Sequence, residues 1–315
     1  MAKPEDITLD DKANQWDRIV TADDSTEIAN KAIIARYVYA TNLMDMDTFD
    51  GYVAEDYVEH DPIPGQKPGR EGLKEAYKIF AGPFSDAVFI FADLFAEGDL
   101  VFGRGEISGT NDGEFFGIPP TNKKISWTGT RLFRLKDNKV TDGWFNADVA
   151  GMLVQLGVAP APPGPPPPDP PPTMPTGAPG TREQSKEIMR RLIDEVWAKG
   201  DLDLADELFH VEAICPSAPT LPVGPEGTKT IVKMVRDAFP DYWVKIDLIA
   251  AEADRVGARI SQGGTHKGDF FGIPPTDKEV TWTEMAILRI GDGKILATWF
   301  DSDIAGLMQQ LGVGG

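Results

Sequence analysis

Phe115-Phe116-Gly117-Ile118-Pro119-Pro120-Thr121 recurs unchanged at Phe270–Thr276, an offset of 155 residues. Held at that offset, Trp127 meets Trp282, Trp144 meets Trp299, Asp148 meets Asp303, and Gln155-Leu-Gly-Val158 meets Gln310-Leu-Gly-Val313. Between positions 109 and 158, 25 of 50 residues are identical with no gap. Further upstream, Gly69, Glu71 and Gly72 match Gly224, Glu226 and Gly227. Stacked solenoid repeats have periods of roughly 20–50 residues, so this longer period reads as two homologous globular domains. The length of 315 residues agrees with two domains, each long enough to bury its own core.

Between the copies, residues 159–180 hold 12 of the 26 prolines. Such a run favours extended polyproline II; it reads as a stiff spacer, reaching about 70 Å if straight, with a ligand for a proline-binding module as the alternative. The sequence therefore divides into an N-terminal arm (1–23), a first domain (24–158), a proline-rich linker (159–180) and a second domain (181–315).

Within each copy the hydrophobic period changes from helical to alternating. Thr181-Arg-Glu-Gln184 has the pattern of a capping box, and Ile188, Met189, Leu192, Ile193, Val196 and Trp197 follow at helical spacing until Gly200. Ile33, Ile34, Tyr37 and Val38 match in the first copy. Short second helices are expected over 46–54 and 201–209, and third helices run from Glu71 and Glu226. Strands are expected over 87–97, 100–110, 124–135 and 139–148, each repeated 155 residues later. Asp292-Gly293 carries the strongest short hairpin signal. Terminal helices are expected over 149–156 and 304–311. Helices followed by an antiparallel sheet make an α+β order.

Composition narrows the function classes. Against 31 Lys and Arg stand 50 Asp and Glu, a net charge of −19. Phosphate neutralisation and attraction to anionic lipid both need basic surface, so nucleic-acid and membrane partners are disfavoured. No apolar run approaches the roughly 20 residues of a membrane helix. The first residues are acidic and lack an apolar signal-peptide core, which predicts a cytoplasmic protein. One cysteine, Cys215, and three histidines leave little material for a metal site, and none is expected.

The string Gly264-Thr-His-Lys-Gly268, Asp269, Phe270–Thr276, Arg289, Gly293-Lys-Ile295, Trp299, Asp303 and Gln310-Leu-Gly312 resembles the SnoaL-like polyketide cyclase family. The first copy is similar to it through His60-Asp61-Pro62, Glu71-Gly72, Gly109-Thr110, Phe115–Thr121, Trp144, Asp148 and Gln155-Leu-Gly157. The resemblance implies two tandem nuclear-transport-factor-2-like conical α+β barrels, each with N-terminal helices packed on a curved antiparallel sheet around an apolar cavity. It implies cofactor-free ring closure of a polyketide-like carbonyl compound by aldol chemistry, with one aspartate as general acid/base. That aspartate maps onto Asp148 and Asp303. The two domains are expected to pair as an intramolecular pseudo-dimer, with further homo-oligomerisation open.

The residues themselves leave alternatives. Asp148 and Asp303 each precede a terminal helix, where Asp is a favoured N-cap. His60 could orient substrate or shuttle a proton, or be a loop histidine, and Cys215 stands opposite it at the fixed offset. His266 replaces Asn111. If the Asp292-Gly293 hairpin ran without interruption, Trp282, Glu284, Trp299, Asp301 and Asp303 would share one sheet face. Trp127, Arg131, Trp144, Asn146 and Asp148 would do so in the first copy. These residues, with His266, are the expected substrate-binding set around the catalytic Asp148, His60 and Asp303. Two rivals share the pocket: an epoxide-opening hydrolase, which would want carboxyls beside an arginine, and a non-catalytic small-ligand-binding or scaffold protein.

Overall fold

The computed structural model describes residues 25–159 and 166–313. The predicted N-terminal arm and linker residues 160–165 lie outside the described residues. The chain divides between Pro160 and Ala161 into two units.

The first unit begins with α1 (Ser25–Asn42) and a short α2 (Met46–Asp50). β1 (Val53–Glu59) and α3 (Gly69–Ala81) follow, then β2 (Val88–Glu97), β3 (Leu100–Thr110), β4 (Lys124–Lys136), β5 (Lys139–Ala147) and α4 (Val149–Leu156). The second unit repeats the order: α5 (Arg182–Arg191) running into a π-helical turn (Leu192–Trp197), α6 (Asp203–Leu208), β6 (Phe209–Ile214) and α7 (Pro225–Ala238). β7 (Trp243–Glu252), β8 (Arg255–Thr265), β9 (Glu279–Gly291), β10 (Lys294–Ser302) and α8 (Ile304–Leu311) complete it. The Thr181–Gln184 capping box forms in both directions, with Thr181 N donating to Gln184 Oε1 at 2.8 Å and Gln184 N to Thr181 Oγ1 at 3.2 Å. No described helix is long and apolar enough to cross a membrane.

Each unit has one five-stranded sheet, ordered β1-β5-β4-β3-β2 and β6-β10-β9-β8-β7. The α+β class stands, with two corrections. The edge strands do not pair with each other, so the sheets are open rather than closed barrels. The sheets are also mixed: β1 and β6, missed in the sequence, pair in parallel with β5 and β10. β1 buries only Val53 and Tyr57 among exposed and half-buried neighbours, and its pairing partner lies more than 80 residues away, so no local pattern announces it.

The Asp292-Gly293 hairpin forms as expected, with Lys294 opposite Gly291 and both turn residues at positive φ. The pairing then slips. Between Ile295 and Ala297, β10 carries a bulge at Leu296, and β5 carries the matching bulge at Thr141. One extra residue reverses the faces of everything beyond it. Glu284 therefore faces Ser302, not Asp301, and Trp299 faces Ile287. In the first unit Arg131 faces Phe145, Trp144 faces Leu132, and Asn146 faces Thr130.

The repeated Phe-Phe-Gly-Ile-Pro-Pro-Thr string is a small hairpin. Phe115 and Ile118 exchange both backbone hydrogen bonds at 2.9 Å, with Phe116 and Gly117 both left-handed. In the linker, Ala178 docks on the β9–β10 turn: its carbonyl accepts from Asp292 N at 2.8 Å and its N–H reaches Asp292 Oδ1 at 3.3 Å.

Candidate functional site

The bulges split the predicted residue set between two sheet faces. In the first unit, the face under the helices carries Trp127, Gly129, Arg131, Gly143 and Phe145. Trp144, Asn146 and Asp142 point the other way. His60 follows them. Its ring stacks on Trp144 at 4.2 Å and 2°, and its Nε2 lies 3.0 Å from Asp142 Oδ1. His60 is thus separated by the sheet from Arg131 and does not join it in a site.

Under the helices of the first unit lies a polar cluster that sequence reading missed in part. Arg131 Nη2 is 3.2 Å from Glu59 Oε2, and Tyr57 OH donates to the same oxygen at 2.9 Å. Arg131 Nη1 donates to Tyr37 OH at 3.3 Å, and Tyr37 OH is 2.5 Å from Tyr77 OH. The guanidinium also sits 4.9 Å above the Phe145 ring. Glu59 is only 5% exposed and Arg131 15%. Burial pushes the Glu59 carboxyl up, and Arg131 followed by Tyr57 opposes it. Burial likewise raises Tyr37 and Tyr57 far above the ordinary phenol value. Gly143 is required here, because a Cβ at that position would lie 1.9 Å from Tyr57 OH.

The second unit has emptied this space. Asp61 Oδ2 accepts from Phe145 N at 2.9 Å, and Ser217 Oγ accepts from Phe300 N at 3.0 Å. These matching bonds show that β1 and β6 align at an offset of 156, not 155. Cys215 is therefore the counterpart of Glu59, not of His60, and Ala213 is the counterpart of Tyr57. With Leu192 for Tyr37, Val232 for Tyr77 and Ala286 for Arg131, the whole cluster is replaced by smaller or apolar side chains. An apolar cavity of about 50 Å³ takes its place, and Leu192, Ala213, Cys215 and Ala286 all line it. Thr298, the counterpart of Gly143, occupies part of the room left by the tyrosine.

Among the described residues, one carboxyl residue lines this cavity, Glu284. Ser302 Oγ donates to its Oε2 in a short hydrogen bond, and Gln262 Nε2 donates to the same oxygen at 3.4 Å. Tyr242 OH in turn donates to Gln262 Oε1 at 2.5 Å. Glu284 is half-buried. Burial pushes its carboxyl up to about 7, opposed by the Ser302 and Gln262 donors and helped by the negative charge of Asp301. Asp301 itself is buried on the opposite sheet face, opposite Met285. Trp299 lies on that opposite face as well, across from Ile287, and Trp282 is packed against Phe239 at 5.3 Å. Trp127 is packed in the same way against Phe84 at 5.4 Å. The Cys215 thiol is pushed up by burial, which keeps it protonated and a poor nucleophile.

The two aspartates implied by the resemblance have another task. Asp148 Oδ1 accepts from Gly151 N at 2.8 Å and Asp303 Oδ1 from Gly306 N at 2.8 Å, capping α4 and α8. Asp148 is exposed. Geometry thus gives both positions the N-cap role, and neither aspartate reaches the cavity or the cluster. Replacing either with alanine is expected to cost about 1 kcal/mol in denaturant unfolding. Asp148→Asn, which retains a capping side chain, is expected to keep both stability and turnover; loss of turnover in a folded Asp148→Asn protein would return this residue to the reaction.

His266 is a structural pin. It is fully shielded from solvent although it lies just beneath the Phe270–Thr276 loop. Its Nδ1 is 3.1 Å from Thr276 Oγ1, while its buried Nε2 has no hydrogen-bond partner. Burial lowers its pKa, with Asp269 opposing. A buried neutral histidine stabilises fully above its unfolded value of about 6.5 and loses stability as pH falls below it. Asn111, its counterpart, satisfies both ends: Oδ1 accepts from Thr121 N at 2.9 Å and Nδ2 donates to Gly113 O at 2.9 Å. His266→Asn is expected to lessen the acid-side stability loss below pH 6.5. Identical stability-versus-pH curves for the two proteins would contradict this account.

The family model for SnoaL-like polyketide cyclase matches residues 31–156 and again 187–311. The aklanonic acid methyl ester cyclase of Streptomyces peucetius is 30% identical over 132 residues, 40% of this chain and 89% of that protein. The nogalonic acid methyl ester cyclase of Streptomyces nogalater is 29% identical over 117 residues, 36% of this chain and 87% of its own. Among solved structures, TsrD from Streptomyces laurentii is 26% identical, with a TM-score of 0.40, covering 43% of this chain and 98% of that one.

Proposed function

Since this chain belongs to the SnoaL-like polyketide cyclase family, we propose that its second repeat closes a ring in a polyketide-like carbonyl compound, with Glu284 as general acid/base. The observation that carries this reading is the cavity that stands where the first repeat has the Arg131 cluster, lined, among the described residues, by a single carboxyl residue, Glu284, which burial raises. A carboxyl poised near 7 is an efficient proton exchanger at neutral pH. Ionised Glu284 removes the proton from a carbon beside one carbonyl. The carbanion attacks a second carbonyl of the same molecule, a C–C bond forms, and the new alkoxide takes the proton back from Glu284. The product is an isomer of the substrate, and no other reactant is consumed.

The apolar walls from Leu192, Ile193, Phe209, Leu288 and Phe300 exclude water, which would otherwise ease the carboxyl back toward its ordinary value. Pockets that take a whole drug-sized ligand run to roughly 300–1,000 Å³, so this smaller space takes the reacting fragment and leaves the rest of a polycycle outside. The first repeat, its space filled by its own side chains, serves as the companion domain. Epoxide opening receives no support here, because among the described residues no arginine lines the cavity beside Glu284.

The test is incubation of the intact protein with polyketide methyl esters, including those named for the two relatives, in D₂O and in ¹⁸O-labelled water. A ring-closed isomer of the substrate without ¹⁸O supports ring closure, solvent deuterium entering only its exchangeable new hydroxyl. Incorporated ¹⁸O at a new hydroxyl points to hydrolytic opening, and bound but unconverted ligand points to a carrier.

A further inference from the structure

Glu284 is not alone in being peculiar to the second repeat. At the fixed offset, Tyr242, Gln262, Glu284 and Ser302 correspond to Ala87, Ile107, Gly129 and Ala147. The strand pairings agree: Ile107 and Gln262 face Trp127 and Trp282, while Gly129 and Glu284 face Ala147 and Ser302. The first repeat builds the same sheet with none of the four polar side chains. The network is therefore no requirement of the fold, and all of it converges on one carboxyl.

Resting on the reading of Glu284 as the acid/base, we propose that Tyr242, Gln262 and Ser302 are positioning residues that hold Glu284 by Oε2, leaving Oε1 as the atom that exchanges the proton with substrate. The chain of donors has a fixed direction. Tyr242 is buried and keeps its phenolic proton, so its hydroxyl donates to Gln262 Oε1 at 2.5 Å. With the amide oxygen so occupied, the amide N–H₂ turns toward Glu284 and donates to Oε2 at 3.4 Å. The Ser302 hydroxyl donates to the same oxygen from the neighbouring strand. Both donors stabilise the ionised carboxylate, and both restrain the plane of the carboxyl. Without the tyrosine hydroxyl, the amide is free to turn over and present its oxygen to the carboxylate, which repels it.

Among the described residues, few charged or titratable groups act on Glu284 and its network. Asp301 on β10 raises it. Cys215 at the end of β6 shares the cavity and stays protonated. Arg236 on α7 acts on Tyr242. From the helical turn opposite, the cavity receives Leu192, Ile193 and Trp197, none of them titratable.

The experiment follows the Glu284 side-chain carboxyl by ¹³C NMR across pH 5–9, approximately the span around its raised value, in the intact protein and in Tyr242→Phe. Glu284→Gln identifies the resonance. The expected result is an upward move of the midpoint by about one pH unit in Tyr242→Phe. The acid limb of kcat/KM should move with it, and Ser302→Ala should act in the same direction. A merely structural tyrosine would lower the rate at every pH and leave the midpoint in place; an unmoved midpoint in a folded Tyr242→Phe protein overturns the proposal. Should the midpoint move while Glu284→Gln still turns substrate over, the network holds Glu284 as described and the assignment of Glu284 to the reaction is what fails.

Discussion

Glu284→Gln is expected to lower turnover by about 10²- to 10⁴-fold, the range supplied by a positioned acid/base. Glutamine keeps the size and the Ser302 and Gln262 contacts but cannot accept or return a proton. The pH dependence has a definite sign. The ionised carboxylate is the base, so kcat/KM of the native protein should fall as pH drops through about 7. That limb should be missing from whatever residual rate the variant shows. Stability moves in the opposite direction. A carboxyl raised above its unfolded value stabilises most fully below about pH 4.3 and loses that contribution as pH rises toward its folded value. The glutamine protein should therefore be more stable than the native one at pH 8 and indistinguishable from it near pH 4. Full turnover in Glu284→Gln, measured against the substrates that establish ring closure, would remove Glu284 from the reaction.

Arg131→Ala should act on the first repeat as strongly, but through folding. Glu59 is 5% exposed, and Arg131 supplies the cation at 3.2 Å. Removing one partner of a buried pair leaves the other charge uncompensated, which costs about 3–5 kcal/mol. At this domain size that is on the order of 10–15 °C in the calorimetric transition of the first unit. Replacing both members, as Glu59→Gln with Arg131→Met, should recover most of the loss, because two well-packed neutral side chains need no partner. The second unit provides the internal control: its counterparts Cys215 and Ala286 lack the pair, and its transition should stay in place. A loss below about 1 kcal/mol in Arg131→Ala would mean that the pair contributes no more than an exposed one.

The two repeats carry alternative uses of one fold. The first fills the space under its helices with Arg131, Glu59 and three tyrosines, and has Gly129 and Ala147 where the second has Glu284 and Ser302. The second discards that cluster, gains a cavity, and adds the network from Tyr242 to Glu284. A fold can host either arrangement because the β4–β5 and β9–β10 backbone pairings are the same while the side chains of the inner face differ.

Much of this was legible in the residues. The repeated Phe-Phe-Gly-Ile-Pro-Pro-Thr string and its offset reveal the duplication. The Thr181–Gln184 box, the Asp292-Gly293 turn and the change from helical to alternating period give the helices, the hairpin and the α+β class. All are local signals, carried by residues a few positions apart whose backbone preferences act on their immediate neighbours. Even the capping role of Asp148 and Asp303 stands in the sequence, beside the catalytic role implied by the resemblance.

The site was not legible, because each step that builds it is non-local. A bulge at Thr141 and another at Leu296 add one residue to the strand, and with a side-chain period of two that single residue moves Trp144, Asn146, Trp299 and Asp301 to the far face. The parallel pairing of β1 with β5 brings Tyr57 and Glu59 to Arg131, across more than 70 residues of chain. The one-residue shift between β1 and β6 makes Cys215 the counterpart of Glu59. The sequence by itself determined the duplication and the local elements, since those rest on short-range backbone preference. Which acid stands in the cavity was decided only by tertiary pairing, where one slipped residue decides which side chains point inward.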